Sequence, residues 1–402
     1  MLYLADAGRM PDSPAPVPEN HHDHRAHSER DEHDAQLRLL TSGTTAAAIR
    51  RLLDSHGSAV GALRAGARDW ASHGVDAATC GAIRNPDRAL LARGLAWLES
   101  SNHHLIDWSQ TDYPPLLRRI PCPPPMLFVD GDAGLLWRPA IAIVGSRAAT
   151  AGGCTNAAMF ADALSRSGLC ITSGLAAGID AAAHHATLQA GGATVAVLGT
   201  GPDIAYPVHH RPLLEHIAAQ GCVVSEHLPG TRPLRQYFPS RNRILAGLSL
   251  GTLVVEAAER SGALITARLS AEVGREVFAL PGSIHNPMAR GCHRLIREGA
   301  QLVESPDEVL AVLAPLAIDL AKALRGELED SYAPSQVPLQ GTLPIDPDYN
   351  HLWQALGHDP TGMDELGQRT GLTTAVLSAM LLSLELEGRV AAEHGRYSRI
   401  GP

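Results

Sequence analysis

The chain has 402 residues, a formal net charge of -9, and 45% hydrophobic, 19% charged and 4% aromatic residues. This length allows two or three domains with a full core, which excludes disulfide miniproteins and fibrous chains, and the overall charge argues against nucleic acid, a ligand held by concentrated positive charge. No run of 18 apolar residues marks a membrane span, no basic-then-apolar leader opens the chain, and the six cysteines lack C-x-x-C spacing, so a cytoplasmic protein without membrane partner, metal or cofactor is expected.

Residues 1–36 are rich in Pro, His and charge, a composition that buries too little apolar surface to offset ordering, so they read as a disordered tail with His21, His22, His24, His27 and His33 solvated. Residues 37–110 place Ile49, Leu52, Leu53, Leu90, Leu91, Leu95 and Leu98 at helical intervals, giving a small helical domain. Its segment TTAAAIRRLLDSHGSAVGALRAG is either a structural helical pair or a degenerate helix-hairpin-helix, and the missing G-x-G favours the pair.

Over residues 111–315 the runs MLFV, IAIV, LCIT, TVAVL, CVVS, TLVVE, EVFAL and QLVE alternate with helix-like stretches. Short, wholly apolar, β-branched runs between amphipathic helices predict a mainly parallel sheet covered on both faces, an extended Rossmann-like, doubly wound α/β domain. Residues 316–345 read as a linker that begins helical. Residues 346–402 run helix, helix, hairpin, the winged-helix order, with Thr373 placed to cap the second helix.

Two strand ends carry small residues that free backbone amides for an anion: Gly145 and Ser146 with Arg147, and Ser173 with Gly174. A third small-residue turn holds Gly262 after Glu256. Asp180 and His184, four apart, predict a hydrogen bond within one helix. Between Pro229 and Gly247 the chain has Arg232, Arg235, Arg241 and Arg243 and no acid, with Tyr237 and Phe238 among them. Guanidinium forks beside an aromatic face suit single-stranded nucleic acid. From Arg138 to Glu298 there are 14 Arg against 10 Asp and Glu, a local +4. Lys322 is the sole lysine, so any phosphate grip is made by arginine.

The blocks IAIVGSR, SGLAAGIDAAAHHATLQAGGATVAVLGTGPDIAYP, FPSRNRILAGLS, VVEAAERSGALITARLSAEVGREVFALPGSI and GCHRLIREGA resemble the DNA-processing family DprA, also called Smf. The resemblance implies a homodimeric, non-enzymatic protein that binds single-stranded DNA, protects incoming strands and loads RecA recombinase during natural transformation. It implies that Arg147 contacts phosphate, Phe238 contacts a base, Arg235 takes the place of a basic residue, and Arg241, Asn242 and Arg243 form the family's RNR. One departure is Gly291-Cys292-His293, where the family has G-[TS]-N. The competing expectation is a nucleotide-processing hydrolase of the lysine-decarboxylase-like group, with Glu256 as acid/base, although its P-G-G-x-G-T-x-x-E motif is missing.

Overall fold

The computed structural model describes residues 21–331 and a discontinuous set between 352 and 399. The chain divides into two units, Met1–Gly326 and Glu327–Pro402.

Six helices open the first unit: α1 (His21–Thr41), α2 (Ala46–His56), α3 (Ala59–Ala65), α4 (Ala67–Ser72), α5 (Ala77–Arg84) and α6 (Arg88–Leu98). Side-chain oxygens of Thr45, Ser58, Asp76 and Asp87 accept from first-turn amides of α2, α3, α5 and α6, and Gly57 closes α2 in a left-handed conformation. The helical pair α2–α3 is therefore set by its own caps. The expected tail is corrected from His21 onward. Its second half is helical because Ala35, Leu37 and Leu39 are buried, Glu32 accepts from the Ala59 and Val60 amides, and buried Gln36 donates to Asp107 at 2.6 Å. Contacts distant in sequence order a segment whose composition does not.

The sheet has nine strands: β1 (His103–Asp107), β2 (Met126–Gly131), β3 (Ala140–Val144), β4 (Cys170–Ser173), β5 (Thr194–Leu198), β6 (Cys222–Ser225), β7 (Gly251–Val254), β8 (Glu276–Ala279) and β9 (Gln301–Leu302). Their order is β1-β2-β6-β5-β4-β3-β7-β8-β9. All neighbours from β6 to β9 are parallel, whereas β2 runs antiparallel to both β1 and β6. β1 is a correction, since it lies within residues 37–110, which read from the sequence as helical.

Helices α7 (Pro115–Arg118), α8 (Ala151–Arg166), α9 (Ile179–Gln189), α10 (Arg211–Gln220), α11 (Tyr237–Leu248), α12 (Ala263–Glu272), α13 (Arg290–Arg297) and α14 (Pro306–Ser331) complete the first unit, with α14 running past its limit. Alternate strand residues go to opposite faces. Ile141, Ile143, Ile171 and Leu253 pack with Phe160 of α8 and Val309 and Leu313 of α14, while Val144, Val197 and Val254 pack with Ile244, Leu245 and Leu248 of α11. Burial on both faces is why these strands read as unbroken apolar runs.

Helix α14 carries residues 316–331, the part of the linker segment expected to begin helical; residues 332–345 lie outside the described set. Lys322 stands exposed on α14, 3.9 Å from Asp319. All six cysteines are free; Cys80, Cys170, Cys222 and Cys292 are buried, and Cys122 is exposed.

In the second unit, helix Met363–Thr370 is followed by the antiparallel strands Val390–Glu393 and Arg396–Arg399. Thr361–Gly362 adds a third strand that the sequence did not signal. Leu352, Leu366, Leu377, Leu381 and Val390 form its core, and this unit is a winged helix. Thr373 lies outside the described residues.

Candidate functional site

β3 lies between β4 and β7, so the chain winds away on one side through β4, β5 and β6 and on the other through β7 to β9. Open α/β sheets bind ligands at the carboxyl ends of strands where this direction switches. A crevice of about 810 Å³ occupies that place, walled by Gly145, Ser146, Arg147, Arg235, Phe238, Arg241, Asn242, Arg260 and Gly262, with Tyr206 and Asp180. A side pocket of about 290 Å³ adds Gly174, and Arg147, Tyr206, Phe238 and Arg241 line both spaces.

The turn after β3 is held from several directions. A Cβ on Gly145 would stand 2.5 Å from Ile179 Cγ1 and 2.9 Å from the Glu256 carbonyl, so only glycine fits there. The Ser146 amide donates to the Glu256 carbonyl at 2.7 Å, and its hydroxyl accepts from the Ala148 amide. Arg147 is thereby presented outward. Its guanidinium carbon lies 5.6 Å from the Phe238 ring centroid, and Tyr206 packs against the same ring at 5.1 Å. Cation and aromatic face adjoin, the arrangement that suits a base stacked on a ring with its phosphate held by a guanidinium.

Arg241 forms the floor. Only 4% exposed, it donates through Nη1 to the Gly174 and Val197 carbonyls and through Nε to Asn242 Oδ1. A Cβ at Gly174 would fall 2.5 Å from its Nη2, so glycine admits the guanidinium. Burial lowers the Arg241 pKa to about 10 against the upward pull of Asp180, which leaves it charged at neutral pH. Asp180 is raised by burial and pulled back by Arg241 and by the Ala176 and Gly174 amides. This buried cation adds positive potential to the crevice without extending a flexible fork.

Several expected residues sit elsewhere. Arg243 forks onto the Glu226 carboxylate, at 2.6 Å from Nη2 and 3.1 Å from Nη1, and does not line the crevice. Ser173 is fully buried and donates to the Ile143 carbonyl at 2.7 Å, fastening β4 to β3. Asp180 and His184 do not bond to each other: Asp180 accepts from the Gly174 and Ala176 amides, and His184 Nδ1 meets Thr194 Oγ1 at 2.8 Å. Tyr206 and Arg260 are additions. Tyr206 lies in the quoted GTGPDIAYP block, but its place beside Phe238 depends on loop folding that no periodicity encodes.

The amino end of α8 is already occupied. Thr150 caps it, and Glu256 accepts from the Thr150 amide at 2.9 Å, the Thr150 hydroxyl at 2.7 Å and Asn286 Nδ2 at 3.2 Å. That carboxylate braces a helix instead of facing the crevice, which removes the geometric support for an acid/base role. Cys292 is fully buried, its thiol pushed up to about 11 by burial, and His293 Nε2 lies 3.0 Å from the Gly282 carbonyl. The departure from G-[TS]-N thus replaces a polar pair with a core thiol and an imidazole on the neighbouring loop.

A doubly wound α/β domain with an arginine- and aromatic-walled crevice at its switch point, joined in one chain to a winged helix, defines a class of DNA-processing proteins. Residues 104–314 match the family described as DNA recombination-mediator protein A, and residues 333–396 match the DprA winged helix domain. The chain belongs to the DprA family, also called Smf. It is 42% identical over 314 residues to Protein Smf of Escherichia coli K12, covering 78% of this chain and 82% of that one. It is 49% identical over 199 residues to the DNA processing protein DprA of Streptococcus pneumoniae R6, covering 50% and 70%. The solved structure of Streptococcus pneumoniae DprA superposes with a TM-score of 0.63 at 40% identity, covering 69% of this chain and 97% of that one.

Proposed function

We propose that this chain is a non-enzymatic recombination mediator that holds single-stranded DNA in the crevice, protects incoming strands and loads RecA during natural transformation. It acts in the cytoplasm as a homodimer. The observation that carries the reading is Arg147 over the Phe238 ring, beside Tyr206 and above the buried Arg241. Exposed Arg147, Arg235 and Arg260 supply charge along the wall, and the two rings supply faces that accept any base. Membership of the DprA family supports the same reading. Among the described residues no helix is long and apolar enough to cross a membrane.

The test titrates labelled single-stranded and duplex oligonucleotides of equal length with wild type and Arg147→Ala, then follows RecA filament formation on pre-coated strands. Preference for single strands, weakened by Arg147→Ala, and faster filament growth are expected. Equal affinity for duplex, or binding indifferent to Arg147, would overturn the crevice as the site.

A further inference from the structure

The helical domain gathers three metal-binding side chains from residues 17 apart at most. His56 ends α2, Asp69 lies in α4, and His73 closes α4. One ligand atom from each lies within 4.8 Å of the others. His56 Nε2 is 2.8 Å and His73 Nδ1 is 3.4 Å from the same carboxylate oxygen, Asp69 Oδ2.

We propose that His56, Asp69 and His73 form a binding site for one divalent transition-metal ion of the zinc class. Two donors about 2.0–2.1 Å from a tetrahedral ion stand roughly 3.3 Å apart, so the His73–Asp69 separation already fits and the His56–Asp69 contact opens by about half an ångström. The imidazole planes are inclined at 59° with centroids 5.9 Å apart, so the rings do not stack, and their ligand nitrogens, within 4.8 Å of each other, draw together when both bind one ion.

An outer partner is also in place. His73 Nδ1 lies 2.9 Å from the Asp69 carbonyl and donates to it in the metal-free chain, while Nε2 lies 3.2 Å from Ser55 Oγ; ligation takes the other tautomer, in which Nε2 donates to Ser55 and the Nδ1 lone pair is freed for the ion, as ligand histidines are commonly held. Arg51 donates twice to the His73 carbonyl, fixing the turn that carries this ligand. The side chains are 20–32% exposed, so an ion enters from solvent and keeps a position for water. Two imidazoles and one carboxylate suit zinc, cobalt or nickel better than magnesium or calcium, which favour oxygen. The bound ion would clip α4 and its closing turn to the end of α2.

Isothermal titration of the chelator-treated full chain with zinc chloride tests the site. Because the histidines of α1 are an independent source of binding, the titration uses a background with His21, His22, His24 and His27 replaced by Asn. One equivalent is expected to bind, with affinity falling at least tenfold in His56→Asn and in His73→Asn. Asp69→Asn keeps a side chain able to hydrogen-bond His56, so it retains the fold while losing the anionic ligand, and the same loss is expected. Cobalt should give visible absorption bands that disappear in these variants. No zinc uptake in the background protein, or uptake unchanged by Asp69→Asn and His73→Asn in folded protein, would show a hydrogen-bonded cluster only and overturn the proposal.

Discussion

Arg241 and Arg243 are two residues apart on one helix and do different work. Positions i and i+2 lie about 200° apart around an α-helix, so they cannot share a face, whereas Phe238, Arg241, Asn242 and Leu245 recur every three or four residues and together line the crevice. Phe238→Ala is therefore expected to weaken single-strand binding by about 1–3 kcal/mol, measured by fluorescence anisotropy. Arg243→Ala should leave binding close to wild type while lowering the denaturation midpoint, because it strands the half-buried Glu226. His184 makes a second prediction at this scale. Thr194 donates to the Ile171 carbonyl and so accepts from His184 Nδ1, leaving His184 Nε2 buried without a partner. Protonation would bury a charge, and desolvation holds its pKa at about 3, far below the ordinary 6.5. The unfolded chain binds that proton first, so the stability is fully present above pH 6.5 and lost as pH falls from 6.5 toward 3. Between pH 7 and pH 5 the loss is about 2 kcal/mol. Urea denaturation at the two pH values should show a smaller difference in His184→Gln than in wild type.

At the level of elements, what the sequence reveals depends on whether a segment's order comes from itself. Strands β3 to β8 are legible because each face of each strand meets a helix, which demands an apolar run. β1 is not legible: its HHLID has two apolar residues, and its pairing with β2 is supplied from 19 to 27 residues away. The second half of α1 fails for the same reason, its order coming from α3 and β1. The turn after β3 was legible as a small-residue strand end, yet its anion-binding helix terminus was not to be had, since Glu256 from β7's end already occupies α8. Thr150→Ala removes both the cap and the hydroxyl contact to Glu256, while the backbone-amide contact stays, and a loss of about 1–2 kcal/mol in unfolding free energy is expected, read from denaturant midpoints. Affinity for single strands should change far less than in Arg147→Ala, since the crevice wall is set from β3 and α11.

For the molecule as a whole, the net charge of -9 is an average over parts with opposite roles. The span from Arg138 to Glu298 is positive, and the crevice draws on Arg147, Arg235, Arg241 and Arg260. If the three exposed ones, Arg147, Arg235 and Arg260, neutralise three phosphates, log affinity against log salt should slope at about -2, taking roughly 0.7 per phosphate for single strands. A slope near zero across 50–300 mM sodium chloride would remove the electrostatic mechanism.

The lone lysine has a practical consequence. Apart from the α-amino group, an amine-directed ester has one primary amine to attack in the chain, Lys322, exposed on α14 and outside the crevice walls. A dye, biotin or surface tether can thus be attached at a defined point while all four crevice cations, being guanidinium groups, stay unmodified. For the same reason lysine acetylation has no target among those cations.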